Sequence, residues 1–88
     1  MIVDDEKFNC DIIYGFMMIL GVKNRSELAE FVYNGEEALI KVKQAIQNDD
    51  PHRYSLILMD CNMPFMDGYT ATEKIIKAFH NLDIELEN

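Results

Sequence analysis

The stretch Leu56-Ile57-Leu58-Met59-Asp60-Cys61-Asn62-Met63-Pro64-Phe65-Met66-Asp67-Gly68 constrains this chain more than any other. It opens on four consecutive apolar residues and passes directly into loop-forming ones. A short apolar run bounded by breakers reads as a strand buried on both faces, the kind found in parallel sheets. Asp60 closes the run. In open α/β sheets, ligands bind beyond the carboxyl ends of the strands, so a carboxylate in this position stands where chemistry is placed. Pro64 has no N–H to give to a ladder, which ends the strand before it. Asp67-Gly68 then turns the chain into a helix.

The flanking segments repeat this alternation. Met1-Ile2-Val3 is a short first strand stopped by three acids, Asp4-Asp5-Glu6. Phe8, Ile12, Phe16, Ile19 and Leu20 recur at helical spacing, widened by Ile13 and Met17, and predict a helix over 7–20 with Gly21 as its C-cap. Met17 and Met18 read as core filling. A second strand is expected over 28–33, although Leu28-Ala29 equally suits a helical turn. Asn34-Gly35 turns the chain, and Ala38, Leu39, Val42, Ala45 and Ile46 form a second helical stripe. Glu36 and Glu37 sit in its first turn, where the helix dipole favours acids. Asn48-Asp49-Asp50-Pro51 ends it, and the third strand covers 54–59. After Gly68 a third helix carries Ala71, Thr72, Ile75, Ile76 and Phe79 on one face. The segment 81–88 is polar and acidic and shows no strand pattern. The order β-α-β-α-β-α implies a parallel sheet joined by crossover helices.

Charge and cysteine usage narrow the function classes. A net charge of −8 over 88 residues is the opposite of a nucleic-acid-binding surface and disfavours anionic lipid. No apolar run approaches the ~20 residues of a membrane span. Cys10 and Cys61 are not spaced as a metal or redox pair and read as reduced thiols of a cytoplasmic protein. His52 and His80 are isolated and read as surface residues.

Two strand ends carry acids, Asp4-Asp5 on the first and Asp60 on the third. In a parallel sheet both ends lie on one edge. If the strands are neighbours, a spacing of ~4.8 Å gathers three carboxylates into one cluster. Like charges this close cost free energy unless a cation joins them. Oxygen-only ligands suit a hard cation such as Mg²⁺, which needs only one or two carboxylates and keeps several waters. A carboxylate beside such a metal can act as nucleophile on a phosphoryl group.

Three motifs carry a family resemblance. Val3-Asp4-Asp5-Glu6, Tyr33-Asn34-Gly35-Glu36-Glu37-Ala38-Leu39 and Leu58-Met59-Asp60-Cys61-Asn62-Met63-Pro64-Phe65-Met66-Asp67-Gly68 resemble, in order, the receiver domain of two-component response regulators. The third motif is the specific one. The resemblance implies a three-layer α/β fold of flavodoxin type, with strand order 2-1-3. It implies that Asp60 is the phosphoacceptor, taking phosphate from a histidine of a histidine kinase or a phosphotransfer protein. Asp5 would be a direct Mg²⁺ ligand, Asp4 would act through water, and Asn62 would offer its backbone carbonyl. Pro64 and Gly68 match the loop that shapes the acceptor pocket. The implied protein is a signalling phosphoacceptor rather than an enzyme, acting at most on its own phosphorylation and dephosphorylation. It would contact neither nucleic acid nor membrane through this domain.

The family has two further strands, one ending in a switch Ser or Thr and one in a Lys that pairs with the phosphate. Thr70, Thr72, Lys74 and Lys77 lie on the third helix and do not match those positions. Residues 1–88 therefore read as a partial receiver domain holding the acceptor half. A pseudo-receiver that only binds a partner is the alternative. A haloacid-dehalogenase-like phosphatase also uses an aspartyl phosphate, but it needs a second Asp two residues after the nucleophile, where this chain has Asn62.

Overall fold

The computed structural model describes residues 1–24 and 28–87, with the side chains of 83–87 outside the described set. Three strands, β1 (Ile2–Val3), β2 (Phe31–Val32) and β3 (Leu58–Met59), form one parallel sheet in the order β2-β1-β3. Three helices alternate with them: α1 (Lys7–Ile19), α2 (Gly35–Gln47) and α3 (Gly68–Glu87). The element order and the strand order are those expected. The expected strands over 28–33 and 54–59 shorten to two residues each, and Leu28 is helical instead, its N–H donating to the Asn24 carbonyl at 2.9 Å.

Strand parity divides the side chains between two faces. Met1, Val3, Val32, Ile57 and Met59 turn toward α2 and α3, joining Ala38, Leu39, Val42, Met63 and Ile75 in the main core. Ile2, Phe31 and Leu58 turn the other way, toward α1, where the Tyr14 and Phe31 rings lie 6.1 Å apart between centroids. Helices thus cover both faces of the sheet, giving three layers.

The apolar stripe expected to bury α1 is corrected. Phe8 is 71% exposed, Ile19 80%, and Ile12, Phe16 and Leu20 are also exposed. The face turned to the sheet carries buried Cys10 with half-buried Ile13, Tyr14 and Met17, while Met18 is exposed. The helix is apolar on most of its circumference, and a three-stranded sheet is too narrow to cover more than one side of it. The same reason corrects the third strand. Leu56 and Leu58, expected to be buried on both faces, are 66% and 47% exposed, because β3 is a sheet edge. On α3, Ala71 and Ile75 are buried and Phe79 is half-buried, but Thr72 and Ile76 are exposed. That helix also continues through the acidic segment, to Glu87.

Helix ends follow their capping chemistry. Gly21 adopts φ 78° and donates to Met18 while Val22 donates to Met17, a Schellman closure of α1. Asn34 caps α2 by accepting from the Glu37 N–H at 2.7 Å. Asp49, at φ 60°, closes the other end of α2 in the conformation usually left to glycine.

Candidate functional site

The sheet ladder places the acids. The Asp4 N–H donates to the Val32 carbonyl at 3.1 Å, and the Asp60 N–H donates to the Val3 carbonyl at 2.9 Å. Each acid is therefore held by the last ladder bond of its strand, one residue past the strand itself. Parallel pairing of Val3 with Met59 sets those ends side by side. One carboxylate oxygen from each of Asp4, Asp5 and Asp60 lies within 4.8 Å of the others. The three residues expected to form one cluster do so.

The carboxylates are not equivalent. Asp4 Oδ1 accepts from the Glu6 N–H at 2.9 Å, and its Oδ2 accepts from Asn9 Nδ2 at 3.1 Å. Both oxygens of Asp4 are thus engaged by the start of α1. Asp60 Oδ1 accepts from the Asn62 N–H at 3.1 Å, which folds the loop back on the acid in an Asx turn. That bond brings the Asn62 backbone beside Asp60 and leaves Asp60 Oδ2 without a protein donor among the described residues.

The loop over 60–68 is pinned from several sides. Met63 is buried in the main core, while Pro64 is exposed and its carbonyl accepts from the Met66 N–H at 2.8 Å. Phe65, at φ 68°, forms the outward tip. The Gly68 N–H donates back to the Cys61 carbonyl at 3.2 Å and closes the loop. A Cβ on Gly68 would strike the Asp60 carbonyl oxygen and stand 2.7 Å from the Asp60 carbonyl carbon. Only glycine allows α3 to start this close to the end of β3. Asp67 caps α3 by accepting from the Thr70 N–H at 2.8 Å, and that bond, with the Thr70 hydroxyl, holds its carboxyl below the ordinary range.

Sequence reasoning did not find two of these positions. Asn9 lies one helical turn into α1, where a side-chain amide is unremarkable until its bond to Asp4 is seen. Gly35 reads as a turn residue, yet a Cβ there would meet Ala71 Cβ and the Met66 carbonyl oxygen, each at 2.9 Å, so it also seats the 60–68 loop against α2. Cys61 is an exposed free thiol; a hydrogen bond with it pushes the Tyr69 hydroxyl above its ordinary pKa. Cys10 is free and buried, and burial raises its thiol. His52 and His80 are exposed, away from the acids' hydrogen-bond network. No helix among the described residues is long and apolar enough to cross a membrane.

Comparison with known proteins agrees with this geometry. A family model described as the response regulator receiver domain matches residues 1–86. The chain is 36% identical over 75 residues to probable histidine kinase 4 of Oryza sativa subsp. japonica, covering 85% of this chain and 6% of that protein. It is 36% identical over 77 residues to hybrid signal transduction histidine kinase G of Dictyostelium discoideum, covering 88% of this chain and 2% of that protein. Among solved structures, the receiver domain of the histidine kinase CKI1 from Arabidopsis thaliana, complexed with Mg²⁺ and BeF3⁻, superposes with a TM-score of 0.74 at 31% identity. That match covers 92% of this chain and 56% of the other.

Proposed function

The chain belongs to the response regulator receiver domain family, and from that premise we propose that it is the phosphoacceptor module of a phosphorelay, with Asp60 as the acceptor. The observation that carries this reading is the carboxylate cluster: Asp4, Asp5 and Asp60 each aim an oxygen into one small region at the carboxyl ends of β1 and β3. In the proposed transfer, Asp60 Oδ2 attacks the phosphorus of a phosphohistidine. The new O–P bond forms as the N–P bond breaks, and the imidazole leaves neutral, keeping the proton already on its other ring nitrogen. The donor is a histidine kinase or a histidine phosphotransfer protein. Asn62 orients the nucleophile by holding Oδ1 of the same carboxylate.

The residues fit a bound Mg²⁺. Three oxygen donors suit a hard cation, and their spread of up to 4.8 Å somewhat exceeds the ~4.2 Å between opposite ligands of an ion bound at ~2.1 Å. One acid is therefore best placed to act through water. Asp4, with both oxygens already accepting hydrogen bonds, is that acid, leaving Asp5 and Asp60 to bind directly with the Asn62 carbonyl. When bound, the metal would neutralise charge on the transferring phosphoryl oxygens. A structural neighbour crystallised with Mg²⁺ and BeF3⁻ supports a bound Mg²⁺ as such.

The test is phosphorylation with a small phosphodonor and Mg²⁺, read as a mass increase of one phosphoryl group. Native chain should be labelled at Asp60 alone, and Asp60→Asn should carry no label, because an amide is a poor nucleophile. Label on the Asp60→Asn chain would move the acceptor elsewhere. An unlabelled native chain with an intact fold would leave the partner-binding alternative. By this reading the chain works in the cytoplasm as a partial receiver domain over residues 1–88, modifying only itself.

A further inference from the structure

We propose that the cleft between α2 and α3, rimmed by Lys43, Lys74 and Lys77, is a docking surface for an acidic peptide segment of a partner protein. The cleft holds about 300 Å³ and is lined by those three lysines with Leu39, Ala78 and Asn81. Among the described residues no carboxylate lines it. This reverses the sign of the molecule, whose net charge is −8 with 16 acidic against 8 basic residues. Three of the eight Lys and Arg residues thus collect at one place.

Among the described residues the ion pairs are Lys41 with Glu30 at 3.1 Å and Arg53 with Asp50 at 4.0 Å. Lys43, Lys74 and Lys77 have none. Lys74 and Lys77 are three apart on one helix, an arrangement in which like charges repel. Lys43 on α2 adds a third positive charge at the same rim. An anionic occupant would relieve all three at once.

The lining selects the kind of anion. The cleft runs between helix interiors, where backbone N–H groups are already spent on helical bonds, so no N–H cradle exists for a compact oxyanion. What remains is an apolar floor, Leu39 and Ala78, between long flexible ammonium side chains. Lysine stems lie along apolar surface while their heads stay in water. This fits a chain that lays an apolar side chain on the floor and presents several carboxylates to the rim. Nucleic acid needs a broad basic face, which a molecule of this charge does not offer. The surface is separate from the acceptor loop, so its role can be read without disturbing Asp60.

The experiment uses a fluorescein-labelled peptide of alternating Glu and Leu, followed by anisotropy against the native 88-residue chain. Binding should be saturable and should weaken at least about tenfold between about 50 and 500 mM NaCl, since exposed charges are screened within a Debye length. Lys43→Glu/Lys74→Glu/Lys77→Glu should abolish it, and replacement of all three by Arg should retain it. Circular dichroism checks the fold. If the charge-reversed chain does not fold, the milder Lys43→Gln/Lys74→Gln/Lys77→Gln chain should still lose at least about tenfold in affinity. Three results would overturn the proposal: undiminished binding by the Gln or Glu chains, equal binding of a Lys-Leu peptide, or displacement of the peptide by inorganic phosphate at equal carboxylate and phosphate concentration.

Discussion

Gly68→Ala is expected to damage the carboxylate site through the backbone alone. An ideal Cβ at this position would overlap the Asp60 carbonyl oxygen and stand 2.7 Å from its carbonyl carbon and 2.8 Å from Cys61 Cα. Ordinary carbon contacts begin near ~3.5 Å, so every contact is too short by more than about half an ångström. All three atoms are main chain and cannot swing away as a side-chain tip would. Relief requires moving either the start of α3 or the Asp60-Cys61 backbone. The first loosens the Gly68 N–H bond to Cys61; the second strains the Asp60 N–H bond to Val3. Overpacking of this kind costs about 1–3 kcal/mol, opposed by about 0.4–1 kcal/mol from the stiffer unfolded chain. Because all three clashing atoms are main chain, we take a net loss of about 1–2 kcal/mol, and at roughly 4–8 °C per kcal/mol for a domain of this size the midpoint should fall by about 5–15 °C. A shift of half an ångström at Asp60 also exceeds the tolerance of a metal site, so Mg²⁺ binding should weaken several-fold. Thermal melts by circular dichroism and a Mg²⁺ titration by amide NMR read both effects. Gly15→Ala is the control, because a Cβ there meets nothing within 4 Å inside α1. It should stabilise by about 0.5–1 kcal/mol. A Gly68→Ala chain that melts within about 2 °C of native and binds Mg²⁺ equally would refute the reasoning.

Two further outcomes are expected. Glu30 accepts from the Tyr54 hydroxyl at 2.7 Å and pairs with Lys41 at 3.1 Å, and these hold its pKa below the ordinary glutamate value. Ionised Glu30 therefore contributes stability that is complete above about pH 4.3 and is lost as pH falls through the lower folded value. Glu30→Gln should flatten the acid limb of melting midpoint against pH, and parallel curves for the two chains would contradict the assignment. The 88-residue chain should also self-associate through the open β3 edge and the exposed apolar face of α1. Sedimentation should show concentration-dependent species that Leu58→Lys reduces; a native chain that stays monomeric with a sharp cooperative melt would show that the three-stranded sheet closes its own core.

The acid cluster was legible because it depends on topology rather than detail. Once alternating apolar runs and helical stripes imply a parallel sheet, the carboxyl ends of the strands share one edge. Asp4, Asp5 and Asp60 then meet whatever the exact strand lengths. Strand lengths were in fact overestimated, and the cluster formed regardless, because one ladder bond past each short strand suffices to hold its acid. Burial was less legible for the opposite reason. An apolar residue records that a side chain can be covered, whereas covering it takes a neighbour that the local pattern does not contain. Hence α2, packed against both the sheet and its neighbour α3, buries the stripe its spacing predicts, while α1 does not.

Close approach and charge clustering lie further still from sequence. Gly68 differs from Gly15 only in what stands within 4 Å of it, and both are ordinary glycines in the text of the chain. Lys43 and Lys74 are 31 positions apart and unremarkable in a chain that is 27% charged. They become a single positive rim only because α2 and α3 pack on the same face of the sheet. A strand end has one neighbour fixed by hydrogen-bond register, so its partner can be read from fold class alone. A helix flank takes its neighbour from crossing geometry, which depends on every side chain between the axes. Acids at strand ends are therefore inferred before the structure is known, and lysines on helix flanks only after it.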